Sequence, residues 1–265
     1  MRNSLFFIIV GFLCVICLFF VTKIHGGIGD DNTISWSRND SVLSISGTGE
    51  MQNYACDEFR FQNMAPWSEY SSEIRCVVVQ NGVVNIGENA FFYFIDLRSI
   101  TIPASVTSIG LGAFKYCINL TSITIPASVT SIGMEAFSSC SELSSVTIPA
   151  SITSIDNSTF SRCYSLKSVT IPNSVKNIGK NAFYHCRNLP SITLPRSIKS
   201  IGEGAFYDCC GLTEIMVRAK RPPCIYSDTF HGVSDTIPVY VPEKSLAAYR
   251  NAPYWNKLNL QAIQE

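Results

Sequence analysis

LTSITIPASVTSIGMEAFSSC, residues 120–140, returns along the chain in related forms with a fixed period of 23 residues. Three residue types mark this period in one common register. They are the prolines Pro103, Pro126, Pro149, Pro172 and Pro195, the phenylalanines Phe91, Phe114, Phe137, Phe160, Phe183 and Phe206, and the cysteines Cys117, Cys140, Cys163, Cys186 and Cys209. Three independent markers with one spacing indicate a structural repeat.

Each position of the unit has a physical role. Ile123 and Ile125 alternate with polar residues, which predicts one buried face of a strand. Pro126 lacks an N–H donor and is expected to end that strand at a corner. Gly133 is expected to permit a turn with positive φ, and residues 136–140 predict one tight helical or 3₁₀ turn. Because a single coil cannot bury its own apolar side, coils should stack about 4.8 Å apart.

The period and the L-x-x-I-x-I pattern together predict a leucine-rich-repeat solenoid of the α/β repeat type. It should be mostly β, with a parallel sheet, short helical or 3₁₀ turns, 23-residue repeats over residues 83–217, and a cap at each end. The fourth repeat departs from the pattern, because Asp156 replaces the glycine and Thr159 replaces the small alanine. We expect Asp156 to adopt positive φ and Thr159 to crowd the core.

Both ends leave the period, as the terminal units of a solenoid must. Residues 28–82 predict an N-terminal cap with two strands, at 32–36 and 41–46, in which Trp36 and Trp67 shield the first coil. Residues 218–265 predict a degenerate coil around Phe230 and a C-terminal cap. That cap should contain a strand at 237–241, a helix at 246–250 with Ser245 as N-cap, and Trp255 over the last coil.

Residues 1–27 carry a targeting signal rather than part of the fold. Arg2 precedes an uncharged apolar run from Leu5 to Val21, which predicts a secretory signal peptide, with an uncleaved signal anchor as the alternative. The protein should therefore be exported to the cell surface or the extracellular space, with the periplasm as another possible destination. The formal net charge of +0 argues against a nucleic-acid-binding protein.

The cysteine ladder is expected to point inward as small, weakly polar side chains that face loop backbone. Neighbouring rungs are close enough for disulfides, but their parallel side chains would make such bridges strained. Cys56 and Cys76 are a candidate bridge. The spacing of Cys209, Cys210, Cys224 and His231 fits no common zinc pattern, so we predict neither a metal nor a cofactor.

Catalytic motifs are missing from the sequence. It contains no G-x-S-x-G element and no phosphate-binding loop. His185 lies beside Cys186, but adjacent residues of a coil point in different directions. We therefore assign no catalytic residue and predict that the protein is not an enzyme.

The outward positions of the repeated strand are mostly serine and threonine, which predicts two rows of hydroxyl groups on one face of the sheet. The candidate binding residues are Ser122, Thr124, Ser145, Thr147, Ser168, Thr170, Ser191 and Thr193. One interpretation is that threonine suits an exposed strand and serine is merely solvated. The other is an adhesive face for a glycan or an extended peptide.

Charge is unevenly distributed along the chain. Residues 27–98 contain ten acidic and four basic residues, whereas residues 151–203 contain two acidic and seven basic residues. The basic residues of 151–203 either form a scattered, solvated surface or attract anionic partners such as sialylated or sulfated glycans.

The repeat L-x-x-I-x-I-P-x-x-V-x-x-I-G-x-x-A-F-x-x-C resembles the BspA-like (Treponema-type) leucine-rich repeats. The segments LSISGTG (43–49) and PW (66–67) resemble the cap before such repeats, and VYVP (239–242) resembles the terminus of such proteins in Bacteroidota. The resemblance covers about residues 30–265.

This resemblance implies an exported or surface-attached binding protein, without shared catalytic residues. It would adhere to, or interact with, proteins or glycans on a host or bacterial surface. We expect a monomer that contacts a membrane only through its N-terminal segment, if that segment is not cleaved. A structural envelope protein without a specific ligand is the main alternative, and a hydrolase is a remote one.

Overall fold

The computed structural model describes the backbone of residues 24–28 and all of residues 33–55 and 64–263. These residues form a parallel-sheet solenoid of about 8 turns of about 23 residues. The predicted leucine-rich-repeat fold is therefore confirmed. Residues 1–23 of the predicted signal segment and Cys56 of the candidate disulfide lie outside the described residues.

All but one of the coils begin with a first strand, and most neighbouring first strands pair in parallel; the exception is the coil around Ser122, which makes a single isolated bridge to Ser145. Cys76 pairs with Ser99, Ser145 with Ser168 and Ser191 with Glu214, each 23 residues apart. Apolar side chains such as Val146 point into the core while their neighbours point outward. The first strands are β4 (Cys76–Val79), β6 (Ser99–Thr101), β9 (Ser145–Thr147), β11 (Ser168–Thr170), β13 (Ser191–Leu194), β15 (Glu214–Val217), β16 (Pro238–Val241) and β17 (Asn259–Ala262).

A second, shorter strand follows the corner of each coil, where all but the first of these coils have a proline. These strands form two parallel three-stranded groups, β5-β7-β8 and β10-β12-β14. They are β5 (Asn85–Ile86), β7 (Ser108–Ile109), β8 (Ser131–Ile132), β10 (Ser154–Ile155), β12 (Asn177–Ile178) and β14 (Ser200–Ile201). The two groups meet between β8 and β10, where the strands are not paired.

The glycine that follows the second strand has a different role from the predicted one. Gly133 and Gly179 are not among the residues with positive φ, so the expectation of a left-handed turn there was wrong. A Cβ atom on Gly133 would lie 2.7 Å from the backbone nitrogen of Leu111 in the preceding coil. Glycine is needed because the coils approach too closely at this point to admit a side chain.

Asp156 occupies that close-approach position in the fourth repeat, and it does not have the predicted positive φ either. The Gly133 backbone nitrogen donates to the Ile109 oxygen of the preceding coil at 2.9 Å. The matching bond from Asp156 to Ile132 is absent from the described structure. Because a Cβ atom at the matching glycine would press on the preceding coil, we infer that the side chain of Asp156 keeps β8 and β10 apart.

Thr159 does not crowd the core as expected. Its side chain is 1% exposed, and its hydroxyl donates to the Asp156 oxygen at 2.9 Å. The rings of Phe137 and Phe160 lie 5.5 Å apart beside it, within the 5.2–5.5 Å range of the other coils. The coil accommodates the larger residue through this hydrogen bond.

The segment that follows the second strand of each coil, residues 134–140 in one of them, is called the return segment. It is a chain of linked turns, so the helical or 3₁₀ turn predicted at residues 136–140 was wrong. Glu135 and Ser139 have φ values of 58° and 62°, which a right-handed helix excludes. Cys140 donates its N–H to Phe137 within the coil at 3.2 Å, whereas Phe137 donates to Thr159 of the next coil at 2.9 Å. Bonds within and between coils thus alternate along the segment.

The phenylalanine ladder forms one continuous stack in the core. All six side chains from Phe91 to Phe206 are 0% exposed. Adjacent rings lie 5.2–5.5 Å apart and at most 13° from parallel. Phe230 extends the stack by one ring at 5.4 Å from Phe206, which places the degenerate coil in the solenoid.

The cysteine ladder lies beside the phenylalanine stack, with its thiols directed at backbone. Cys117 donates to the Phe91 oxygen of the preceding coil at 3.2 Å, and the other four cysteines make the equivalent bond at 3.0–3.3 Å. All five are buried and free of disulfides. Desolvation raises the pKa of the Cys163 and Cys209 thiols to about 12.

The N-terminal cap consists of an antiparallel three-stranded unit, β1 (Ile24–Ile28), β2 (Ile34–Asn39) and β3 (Val42–Gly47), in which β3 pairs in parallel with β4. β1 overlaps the end of the segment 1–27. A 3₁₀ helix, Ser68–Tyr70, follows. Trp67 is 0% exposed and stacks on Phe91 at 6.1 Å, and Trp36 packs edge-on against Trp67.

The C-terminal cap contains β16, β17, the 3₁₀ helices Glu243–Ser245 and Trp255–Lys257, and α1 (Leu246–Arg250). Ser245 precedes α1 as predicted, but its side chain makes no capping hydrogen bond. Trp255 packs 6.0 Å from Phe230. No helix in the described part of the chain has the length and apolar character needed to cross a membrane.

Candidate functional site

The eight predicted binding residues lie at the outward positions of four successive coils, six of them on the first strands β9, β11 and β13, and all are exposed. Within the central pair of strands, Ser145 stands beside Ser168 and Thr147 beside Thr170 in exact register. Buried residues between them, such as Val146, anchor the opposite side of the strands in the core. We call this surface the hydroxyl face; it comprises Ser122, Thr124, Ser145, Thr147, Ser168, Thr170, Ser191 and Thr193.

The hydroxyl groups of this face are not used by the fold. None of the eight has a side-chain hydrogen-bond partner within the described residues. Other repeated hydroxyls behave differently: Ser128 donates to the Val106 oxygen of the preceding coil at 2.6 Å, and Thr130 donates to the Thr107 oxygen at 3.2 Å. The structure thus separates serines and threonines that join coils from those that remain available to a ligand.

Part of the predicted basic surface is neutralised by local ion pairs. Lys180 lies 2.8 Å from a carboxylate oxygen of Glu203, and Arg187 lies 2.7 Å from a carboxylate oxygen of Asp208. The hydrogen bond from Arg187 is the main reason why the pKa of Asp208 is lowered. These cations stabilise neighbouring coils and are poor candidates for ligand contacts.

A second candidate site lies where the chain turns after the first strands β13, β15 and β16. Two adjoining depressions of about 370 Å³ and 570 Å³ share Arg196 and Arg218. Thr193 lines the first depression, and Lys220 and Lys244 line the second. We call this surface the basic groove; it is defined by Arg196, Arg218, Lys220 and Lys244.

Sequence reasoning missed this groove because its cations come from both sides of the boundary between repeats and cap. Arg218, Lys220 and Lys244 lie beyond the basic stretch 151–203. A signal was nevertheless present at Arg196, which occupies the position after the repeated proline. Earlier repeats place a small or uncharged residue there, namely Ala104, Ala127, Ala150 and Asn173.

The remaining candidates do not form a reactive site. His185 contacts the Asp208 carboxylate at 2.7 Å. The neighbouring Cys186 is buried and donates its thiol to the Phe160 oxygen at 3.2 Å, so it points away from His185. Across the described residues, no three His, Cys, Asp or Glu side chains are grouped so that they could hold a metal ion.

Comparisons with known proteins agree with this architecture. A leucine-rich cell surface protein of Faecalibacterium prausnitzii is 25% identical, with a TM-score of 0.57, over 92% of this chain and 76% of that protein. A leucine-rich-repeat protein of T. pallidum is 24% identical, with a TM-score of 0.53, over 71% of this chain and 87% of that one. No curated protein sequence matches the chain.

The sequence profile described as "BspA type Leucine rich repeat region" matches residues 69–189 and 153–264, with six copies of the repeat. These ranges span the coils and the C-terminal cap. The predicted resemblance is confirmed. The chain belongs to the BspA-type leucine-rich-repeat family.

Proposed function

We propose that the protein is an exported, surface-attached or extracellular binding protein, and that the hydroxyl face holds a protein or glycan of a host or bacterial surface. The observation that carries this proposal is the set of eight exposed hydroxyl groups without partners among the described residues. Each can both donate and accept a hydrogen bond. Four of them, on β9 and β11, stand in register, and this spacing suits an extended ligand that lies across neighbouring coils.

The rigidity of the scaffold supports the same proposal. The inward side chains behind the hydroxyl face pack in the core: Ile123, Val146 and Ile192 are at most 8% exposed, and Val169 is half-buried against them. A surface held in this way loses little conformational entropy when a ligand binds. The F. prausnitzii neighbour, described as a cell surface protein, supports export and surface attachment for this chain as well.

A structural envelope protein without a specific ligand is the competing function. Such a protein would need the coils and caps but would place no demand on the hydroxyl face. Hydrolysis receives less support, because the histidine with a carboxylate partner, His185, has no nucleophile directed at it among the described residues.

The test is an array of host and bacterial glycans and matrix proteins, probed with the protein at micromolar concentration. For any ligand found, we would replace Thr124, Thr147 and Thr170 together by lysine. All three are exposed, so the fold should persist with a change in stability of about 0.5 kcal/mol or less per site, while binding should be lost.

A matched control adds the same charge elsewhere. Leu111, Ile118 and Met134 are exposed and lie off the hydroxyl face, so their joint replacement by lysine should leave binding intact. If the threonine variant still binds normally, the hydroxyl face is not the site. If the wild-type protein binds nothing on the array, the envelope function is favoured. Mass spectrometry of the native N-terminus would show whether the signal segment is removed.

A further inference from the structure

We propose that the basic groove is a subsite for the sulfate or carboxylate groups of an anionic glycan, whose chain continues onto the hydroxyl face. This inference deepens the proposed binding function and rests on it. Four cations line the groove, and Glu243 is the one carboxylate that lines it among the described residues.

The groove is built by strand pairing rather than by chance proximity of flexible side chains. Strands β13 and β15 are paired up to Leu194 and Val217, and the Arg218 nitrogen donates to the Leu194 oxygen at 2.9 Å. Arg196 and Arg218 therefore leave adjacent coils at the same corner. Lys244 follows β16, which pairs with β15 in turn. These cations therefore follow one another along the direction in which the coils stack.

None of the four cations is neutralised within the part of the chain that the structure describes. No carboxylate there forms an ion pair with Arg196, Arg218, Lys220 or Lys244. Lys180 and Arg187, in the coil that precedes Arg196, do have such partners. Like charges that share one groove repel each other, and a bound anion would relieve that repulsion.

The other lining groups favour a glycan over an acidic peptide. Thr193 belongs both to the groove and to the hydroxyl face, so the two surfaces are continuous. Asn173 and Ser245 supply further uncharged polar groups. A polyhydroxylated chain can use these groups along its length, while the planar guanidinium groups of the two arginines match sulfate and carboxylate oxygens with two parallel hydrogen bonds.

The experiment measures binding of three probes of similar length to the whole protein: a heparin oligosaccharide, its desulfated counterpart, and oligoglutamate. We expect the heparin oligosaccharide to bind, and the binding to weaken as ionic strength approaches about 1 M, where the screening length falls to about 3 Å. Comparison with the desulfated probe distinguishes sulfate from carboxylate as the recognised group, and either result supports the subsite.

The decisive variant is Arg196→Ala with Arg218→Ala, which should weaken glycan binding about tenfold or more, because hydrogen bonds to charged groups are lost. Arg196→Lys with Arg218→Lys keeps the charge but not the paired hydrogen bonds. Its affinity for the glycan should lie between those of the wild type and the double alanine variant. The matched control is Lys176→Ala with Lys199→Ala. It removes the same charge from exposed positions beside the second strands, and it should change affinity about twofold at most.

Three outcomes would overturn the subsite: equal losses in both alanine pairs, which would indicate net charge alone; binding of oligoglutamate as tight as that of heparin, which would indicate an acidic protein; or no binding of any probe. A ligand that binds the hydroxyl face while all three probes fail would leave the proposed function standing without this subsite. Circular dichroism of each variant confirms that the coils are intact, as exposed positions lead us to expect.

Discussion

Trp67 and Trp255 close opposite ends of the same aromatic stack. Trp67 lies 6.1 Å from Phe91, and Trp255 lies 6.0 Å from Phe230. Each donates its indole N–H to a backbone oxygen at 2.8 Å, Trp67 to Ala90 and Trp255 to Pro223. Tryptophan thus covers the open end of the core and satisfies a buried carbonyl there, which phenylalanine cannot do.

We expect Trp255→Phe to destabilise the protein even though an aromatic ring remains. The Pro223 oxygen would lose its donor in a buried position, which costs about 1–3 kcal/mol. Urea denaturation measures this loss. Trp36→Phe is the control, since Trp36 is half-buried and packs against Trp67 and Tyr70 without an indole hydrogen bond among the described residues. Equal losses in both variants would show that the indole hydrogen bond is unimportant.

The middle of the stack should be the most sensitive point of the core. Phe137 is 0% exposed and contacts rings on both sides, Phe114 at 5.4 Å and Phe160 at 5.5 Å. Phe137→Ala should therefore lower the free energy of unfolding by about 3–5 kcal/mol. Because the coils depend on their nearest neighbours, much of the array should unfold with it.

Thermal melting followed by circular dichroism measures this effect. Tyr93→Ala removes another aromatic ring from a return segment, but Tyr93 is 54% exposed, so its loss should change stability by about 0.5 kcal/mol at most. A Phe137→Ala protein that melts like the wild type would contradict the role of the stack.

The cysteines should divide sharply in their reactivity. Cys163 is buried, its thiol donates to the Phe137 oxygen at 3.3 Å, and burial raises its pKa to about 12. Cys210 and Cys224 are exposed. Since the thiolate is the reactive form, iodoacetamide at about pH 8 should modify Cys210 and Cys224 in the folded protein and leave Cys163 unmodified.

Peptide mapping by mass spectrometry identifies the modified residues. The same treatment in denaturant should modify Cys163 as well, which controls for its intrinsic chemistry. Modification of Cys163 in the folded protein at a rate similar to that of Cys210 would mean that the ladder opens readily to solvent.

The buried thiols also predict a loss of stability in alkaline solution. Burial raises the pKa of Cys140, Cys163 and Cys186 in the folded state. Above about pH 8.5, the unfolded thiols ionise while the folded ones stay neutral, so ionisation favours the unfolded chain. The melting temperature should therefore fall between about pH 8.5 and pH 10. A constant melting temperature over this range would contradict the raised pKa values.

The sequence period predicted the coils and the phenylalanine stack because both depend on residue spacing. The function of single positions depended on contacts with the neighbouring coil, which spacing does not show. Gly133 illustrates this, since its lack of a side chain serves close approach to Leu111 and not a positive φ. The serines are another case: both are repeated hydroxyls, but Ser128 joins two coils, whereas the Ser145 hydroxyl has no partner among the residues that the structure describes.

The basic groove required the structure for a similar reason. Arg196 belongs to the repeats and Lys244 to the cap, and strand pairing alone brings them to one corner. No local pattern joins two residues so far apart in the chain. The hydroxyl face was predictable because its members come from two repeated positions on the outward side of the coils.

The unpaired junction between β8 and β10 leads to the last prediction. Asp156→Gly removes the side chain that keeps these strands apart and should let two inter-coil hydrogen bonds form, from residue 156 to Ile132 and from Thr153 to Thr130. Each such bond contributes about 0.5–1.5 kcal/mol, and the added backbone freedom of glycine costs about 0.5–1 kcal/mol. The net expectation is a gain of about 1 kcal/mol.

Three measurements examine this expectation. Hydrogen exchange at Thr153 should slow in Asp156→Gly, and the melting temperature should rise. Gly133→Ala should do the opposite and lower the melting temperature, because its Cβ would press on the Leu111 nitrogen. Adding Thr159→Ala to Asp156→Gly should remove part of the gain, since the Thr159 hydroxyl bonds the backbone oxygen of residue 156 in the buried turn.

The pH dependence of stability gives an independent test of the role of Asp156. Burial raises the pKa of the Asp156 carboxyl group, so its ionisation opposes folding. The advantage of Asp156→Gly over the wild type should therefore grow as the pH rises through that raised pKa, above about pH 4. If Asp156→Gly neither slows exchange at Thr153 nor raises the melting temperature, the side chain of Asp156 does not keep β8 and β10 apart, and the separation arises elsewhere in the fourth coil.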